Sequence, residues 1–456
     1  MSAELDRRAR AVLPTGQRVG RHDAAVFDLR LRRDSAVAEV PDWETLRTRA
    51  AAIKAHVLDH LDTHLVRFEE AARAAGARVH WAGDAASANG IVSELLAARG
   101  ARKVVKSKSM LTEECGLNES LERRGVEVVD TDLGERIVQL AGEPPSHIIV
   151  PAVHWSRQEV GELFHRTMGT PEGESDPERL TRLARADLRA RFVEADAAIT
   201  GANFAVSETG SIVVVTNEGN ADLGMSLPDL HIACIGIEKL VPGLADLPVF
   251  LRLLARSATG QPISVYTSLV TGPRAGAELH IVLVDNGRTE LLANEAHRSA
   301  LGCIRCGACL NTCPVYRRAG GHAYDQPIPG PIGAVLGPAV RVAQGGRALA
   351  HASSLCGSCT AVCPVRIDLH DQLLTWRGEV HTAGLPERWL TRLAAFVMAS
   401  PRRFDLAGRA AAVAWRWLER PFRGNPVGAW LQSRDLPEHP GESFHAQWLR
   451  RRGPTR

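Results

Sequence analysis

A chain of 456 residues is longer than one ordinary domain, and its 45 % hydrophobic and 23 % charged residues are the composition of a globular protein, which excludes disorder over most of its length. With 55 basic against 52 acidic side chains the net charge is +3, too weak a field for nucleic acid to be the expected partner. Mean hydropathy is −0.11 and no apolar run reaches about 18 residues, so no transmembrane segment is expected; Met1–Arg10 is charged and lacks the apolar stretch of a secretory signal, and a cytoplasmic protein is the expectation.

Residues 1–40 are Arg-rich and weakly patterned and read as an extended N-terminal arm. A helix opens near Asp42, an N-cap residue type, and carries Leu46, Ile53, Val57, Leu61 and Leu65 at helical spacing, the pattern of a helix docked on the next domain. From 77 to 298 β-rich runs (77–81, 103–106, 126–130, 147–153) alternate with helical stretches (89–99, 113–124, 133–141), which predicts a mostly parallel sheet covered by helices. At 201–216 two strands flank a polar turn at Glu208–Ser211. Further strands are predicted at 231–237, 263–267 and 279–284, with a helix over 247–258 between two of them.

The cysteine-containing region follows. Within it Tyr324–Pro338 is rich in Pro and Gly, which predicts no helix interior, and Ala339–Ala350 reads as helical in part. From 386 on the chain holds 13 Arg, no Lys and 6 acidic residues, and six of the nine Trp lie beyond residue 370. This tail reads as a partner-docking or self-capping segment. The expected organisation is an arm (1–40), an α/β domain (41–298), a metal-binding domain (299–385) and the Arg/Trp-rich tail (386–456).

Seven of the nine cysteines lie between Cys303 and Cys363. Clustering of this kind in a cytosolic chain points to metal rather than disulfides. Cys303, Cys306, Cys309 and Cys313 form C-x2-C-x2-C-x3-C-P. A closed zinc knuckle wants two separated pairs, whereas three thiolates two residues apart wrap one face of an iron–sulfur cube. Cys356, Cys359 and Cys363 repeat the motif with Ser353 where the first has Cys303. The last cysteine of such a run ligates the other cluster. The expected sets are therefore Cys303, Cys306, Cys309 and Cys363 for one cluster, and Cys313, Cys356 and Cys359 for the second. With three thiolates the second site holds either a [4Fe–4S] cluster with a non-Cys fourth ligand or a [3Fe–4S] cluster. The connection between motifs, 42 residues, is longer than in a minimal two-cluster ferredoxin, which predicts an α-helical ferredoxin-type domain.

Several further segments carry a family resemblance: Lys106-Ser-Lys-Ser-Met110, Glu113-Glu114, Gly116-Leu-Asn118, Asp130-Thr-Asp-Leu-Gly-Glu135, Leu140 to His147, and Ser207-Glu-Thr-Gly-Ser211, followed by the two cysteine motifs. Together they resemble the lactate utilisation protein B family over roughly residues 45–380. The resemblance implies an α/β LUD domain, similar to the NagB/RpiA/CoA-transferase fold, followed by the ferredoxin-type domain. It implies two [4Fe–4S] clusters on the seven cysteines above, and a cytoplasmic electron-transfer protein that works with companion proteins and an electron acceptor in oxidising L-lactate to pyruvate. It also implies that Ser353 is no departure, because the family's second motif has three cysteines.

Other residues are weaker candidates. Lys106, Ser107 and Lys108 stand where a strand meets a helix and suit a carboxylate or phosphate. In the CoA-transferase fold a loop glutamate can be the nucleophile, which singles out Glu208. His147 and His154 flank an apolar run and are candidate bases or ligands. No G-x-G-x-x-G follows any predicted strand, so no flavin or NAD is expected on this chain. The reading is an electron carrier rather than a stand-alone dehydrogenase. Its rival is an enzyme whose α/β domain itself transforms a carboxylate or CoA ester, with the clusters serving that site.

Overall fold

The computed structural model describes residues 7–8, 16–339, 346–380, 385–418 and 443–452. The chain forms two compact units, Met1–Val380 and His381–Arg456.

In the first unit short runs of β-branched and small apolar residues become strands: β1 (Arg78–Ala82), β2 (Lys103–Lys106), β3 (Glu127–Asp130), β4 (Ala197–Thr200), β5 (Phe204–Val206), β6 (Ser211–Thr216), β7 (Leu230–Gly236), β8 (Leu240–Val241), β9 (Tyr266–Val270) and β10 (Glu278–Val284). Six of them make an all-parallel sheet in the order β1-β10-β7-β4-β2-β3, as the alternating pattern predicts. A parallel sheet must be covered on both faces. Along β7 and β10 alternate side chains supply the two cores: Ile232, Cys234 and Val282 pack with Val92, Leu96 and Leu121 on one face, and Ala233, Ile235, Ile281 and Leu283 pack with Leu65 and Phe68 on the other. A second, four-stranded sheet in the order β8-β5-β6-β9 is antiparallel except for the β5–β8 pair.

Four expectations are corrected. The N-terminal segment is not extended: Gly16–Ala38 is a helix whose His22 ring bonds the Arg317 carbonyl at 3.0 Å and whose Arg33 bonds that of Val362 at 3.0 Å. Its buried face mixes Val26 and Ala36 with His22 and Arg33, so polar side chains interrupt the apolar stripe. His147–Val153 is not a strand, because the His147 ring takes the backbone N–H groups of Ile149 and Val150 and bends the chain. The 113–124 stretch is broken into Met110–Glu114 and Leu117–Glu122 at Gly116, which is left-handed at φ 61°. Within the Pro/Gly-rich segment Gly330–Leu336 is helical, with its proline in the first turn, where a missing N–H costs nothing. Half of Ala339–Ala350 lies outside the described residues, and Gly346–His351 is a 3-10 turn.

One apolar core joins the N-terminal helices, the second sheet and the cysteine region. It runs from Val26 and Trp43 through Phe204 and Phe250 to Cys309, Tyr316 and Trp376. In the second unit the described helices Leu385–Met398 and Pro401–Leu418 leave Trp389, Leu393, Phe396 and Phe404 exposed. No helix among the described residues is long and apolar enough to cross a membrane.

Candidate iron–sulfur centre and adjoining cavity

Each cysteine motif is a tight turn that feeds a five-residue helix, Ala308–Thr312 in the first and Ser358–Val362 in the second. Gly307 and Gly357 begin these helices at φ 76°, a conformation glycine adopts without strain. A Cβ on Gly307 would come within 3.0 Å of Ile149 and 3.2 Å of His147, so that position also needs the space. The turns aim backbone N–H groups at sulfur: Arg305 donates to Cys303 Sγ at 3.4 Å, Tyr316 to Cys313 Sγ at 3.5 Å, and Ile367 to Cys363 Sγ at 3.3 Å.

All seven thiols are free. Cys306, Cys309, Cys313, Cys359 and Cys363 are buried, Cys303 is half-buried and Cys356 is exposed. Burial pushes the Cys359 and Cys363 thiols up to about 11, and that of Cys306 higher. Charge interactions cross between motifs: Cys363 lies within electrostatic reach of Cys303 and Cys306, Cys313 within reach of Cys356 and Cys359, and Cys309 senses Cys359 as well as Cys303 and Cys306. Buried soft donors without disulfides, bonded by backbone amides, fit an iron–sulfur cluster, whose iron would hold them as thiolates.

Sequence reasoning missed the groups that clamp these turns. Arg47 donates to the Cys363 carbonyl at 2.8 and 2.9 Å and to that of Ala361 at 3.0 Å, capping the second motif's helix from the Trp43–Asp59 helix. Arg30 reaches Thr312 in the first motif, and Arg33 bonds Val362 in the second. The Arg-rich composition of the first 50 residues was the available signal. These cations stand close to groups that carry negative charge once ligated.

A cavity of about 720 Å³ lies at the carboxyl ends of β2, β4 and β7, the end of a parallel sheet where ligands bind. Ser107, Lys108, Asn203, Asn220, Lys239 and Arg305 are among its walls. Arg305 belongs to the Cys303–Cys306 turn, so the cavity reaches the first cysteine motif. Its Nη1 is buried without a hydrogen-bond partner. Burial, with Arg305 next, pulls Lys239 down to about 8. Beside them Arg288 is buried between Glu114 (2.9 Å) and Glu238 (2.6 Å). Burial opposes the charge of Glu238, yet Arg288 and its cationic neighbours hold it down to about 2.

The expected anion site is divided by the structure. Ser107 and Lys108 line the cavity, and Lys108 binds Asp132 at 2.7 Å and the Ile149 carbonyl at 3.0 Å. Lys106 is fully buried beneath them and bound to Glu113 and Asp130, both at 2.8 Å. Glu208 is exposed on the turn between β5 and β6, where it accepts the Leu244 N–H at 3.1 Å, and it is not among the cavity's walls. His147 is buried against the first motif: Nδ1 accepts from Ile149 and Val150, so Nε2 carries the proton and donates to Asn311 Oδ1 at 2.9 Å. Burial pulls it down to about 3. His154 bonds Glu143 at 2.8 Å, and the ligand atoms of Glu143, His154 and His322 lie within 4.8 Å of one another.

Residues 65–291 match the LUD domain and residues 299–367 match a 4Fe-4S dicluster domain, which gives the region an iron–sulfur cofactor. The chain is 42 % identical to "Uncharacterized electron transport protein YkgF" of Escherichia coli K12, over 92 % of this chain and 90 % of that one. It is 42 % identical to "Lactate utilization protein B" of Oceanobacillus iheyensis, also over 92 % and 90 %, and to the protein of that name from an Exiguobacterium species over 93 % and 92 %. With a parallel α/β sheet, a helical two-motif cysteine region and this identity along nearly its whole length, the chain belongs to the lactate utilisation protein B family.

Proposed function

We propose that this protein relays electrons through two [4Fe–4S] clusters in the oxidation of L-lactate to pyruvate, together with companion proteins and an electron acceptor. A role in lactate utilisation and electron transfer follows from the family. The observation that carries the finer reading is the crossed pair of cysteine neighbourhoods. Cys303, Cys306, Cys309 and Cys363 would hold one cluster, and Cys313, Cys356 and Cys359 the other. Two adjacent clusters in one core make a relay, since each moves one electron at a time. Oxidising a 2-hydroxy acid removes two electrons and normally calls on an organic cofactor or catalytic metal, so the chemical step is assigned to a partner. The proposed compartment is the cytoplasm, where thiols stay reduced. The test is lactate oxidation by the isolated chain and by the chain with its partners, using an artificial acceptor. Activity is expected only in the complete set, and turnover by the isolated chain overturns the assignment.

A second reading is favoured by the cavity. An organic anion bound between Lys239 and Arg305 would lie beside the first cysteine motif, so the LUD domain would present a carboxylate or CoA ester to that cluster. The 720 Å³ volume is in the range of drug-sized ligands and far exceeds a three-carbon acid. Titration of the isolated chain with L-lactate, pyruvate and coenzyme A, followed through the cluster EPR signals, tests it. A saturable shift with any of them supports the reading, and no shift with all three removes it.

A further inference from the structure

The two cysteine turns repeat each other's backbone closely. Gly307 and Gly357 have φ and ψ of 76° and −5°, and 76° and −7°. Two residues before each stands a non-glycine residue in the left-handed region, Arg305 at φ 58° and Leu355 at φ 55°. The helices that follow are of equal length and end on Cys313 (−75°, 117°) and Cys363 (−63°, 118°). Left-handed backbone at a side-chain-bearing residue is strained and persists where the surroundings require it. Its recurrence at the same place marks two turns built for one task.

On this superposition the counterpart of Cys303 is Ser353, and their side chains behave alike. Cys303 Sγ accepts the N–H of Arg305, two residues on, at 3.4 Å; Ser353 Oγ accepts the N–H of Leu355, two residues on, at 3.1 Å. Arg377 fixes the Ser353 turn by donating to the carbonyls of Ala350 at 2.9 Å and Ser353 at 2.5 Å. Ser353 is half-buried beside the exposed Cys356, so a proton leaving its hydroxyl has a path to solvent.

We propose that Ser353 Oγ is the fourth ligand of the cluster held by Cys313, Cys356 and Cys359. Ligation forms an iron–oxygen bond and releases the hydroxyl proton to solvent, with no change of oxidation state. One iron of this cluster then carries a hard oxygen donor while the other three carry thiolates, which distinguishes it from the all-thiolate cluster on Cys303, Cys306, Cys309 and Cys363. The inference rests on the two-cluster reading above.

The test uses the full chain, purified without oxygen as wild type, Ser353→Ala and Ser353→Cys, with iron and sulfide analysis and Mössbauer and EPR spectra after mild oxidation. Wild type should hold about eight iron atoms, two full cubes. Ser353→Ala should lose about one of them and show an oxidised [3Fe–4S] signal. Ser353→Cys should keep them all, and the Mössbauer component of the oxygen-bound iron should disappear. Wild type with about eight iron atoms and Ser353→Ala identical to it overturns the ligand alone. Wild type with about four overturns the two-cluster reading instead. Full iron in Ser353→Cys beside the loss in Ser353→Ala shows that the turn still folds.

Discussion

Lys106 and Asp130 stand opposite each other in the register of β2 and β3, and their charged ends meet at 2.8 Å with the lysine fully buried. Glu113 takes the same ammonium from the other side at 2.8 Å. Burial opposes the charge of Lys106, but Glu113 and Asp130 outweigh it and raise its pKa well above the usual lysine value. The ammonium therefore belongs to the sheet rather than to a ligand. Lys106→Met leaves two carboxylates without their cation and should cost about 3–5 kcal/mol of stability, more than Asp130→Asn, after which Glu113 remains. Denaturant unfolding checks the order; equal stability of Lys106→Met and wild type would return this lysine to the ligand-binding candidates.

The crossed neighbourhoods make an opposite pair of expectations. Cys363→Ser should damage the cluster whose other ligands are in the first motif, and Cys313→Ser the cluster whose other ligands are in the second. EPR of each reduced variant reads which signal is altered. Loss of the Cys303, Cys306 and Cys309 signal in Cys313→Ser would mean that each motif keeps its own cluster.

Lys239 and Arg305 give the cavity its positive wall. A hydrogen bond to a charged group contributes about 1.5–3 kcal/mol, so Lys239→Met should weaken binding of an anion there by roughly 10- to 100-fold. Iron content should stay at the wild-type value, because Lys239 holds no cysteine backbone in place. Equilibrium binding of L-lactate, pyruvate or coenzyme A beside metal analysis checks this, and unchanged affinity in the variant would place the anion elsewhere.

His231 sets an acid limit. It is buried in β7, bonds Thr200 Oγ1 at 2.8 Å, and burial pulls it down to about 4 from an ordinary 6.5. The unfolded chain binds this proton first as pH falls, so the stability it contributes is complete above about pH 6.5 and is lost between there and about pH 4. The difference amounts to about 3 kcal/mol at the acid end. His231→Gln should flatten the pH dependence of unfolding across that window; an unaltered slope would assign the acid sensitivity to other groups.

How much of this was legible depends on where the determining partners lie. The cysteine turns were readable because ligand spacing is local, and β7 and β10 were readable as strands because their short apolar, β-branched runs are local too. The role of Lys106 was not, since Asp130 is set opposite it by strand register and Glu113 is brought to it by the helix Met110–Glu114. The N-terminal helix was missed because His22 and Arg33 interrupt the buried stripe that Val26 and Ala36 begin, and because Arg30 and Arg33 find their partners about 300 positions away. His147 looked like a strand residue because no local signal says that its ring replaces the ladder partners of Ile149 and Val150.

The central claim is that the chain carries two reducible clusters and passes electrons through them. It is tested most directly by dithionite titration of the full chain purified without oxygen, followed by EPR and visible absorption alongside iron and sulfide analysis. The account predicts about eight iron atoms with matching sulfide, broad absorption that bleaches on reduction, and two distinguishable paramagnetic species. A colourless, zinc-loaded chain from iron-replete anaerobic cells, or clusters that stay oxidised under dithionite, would contradict it.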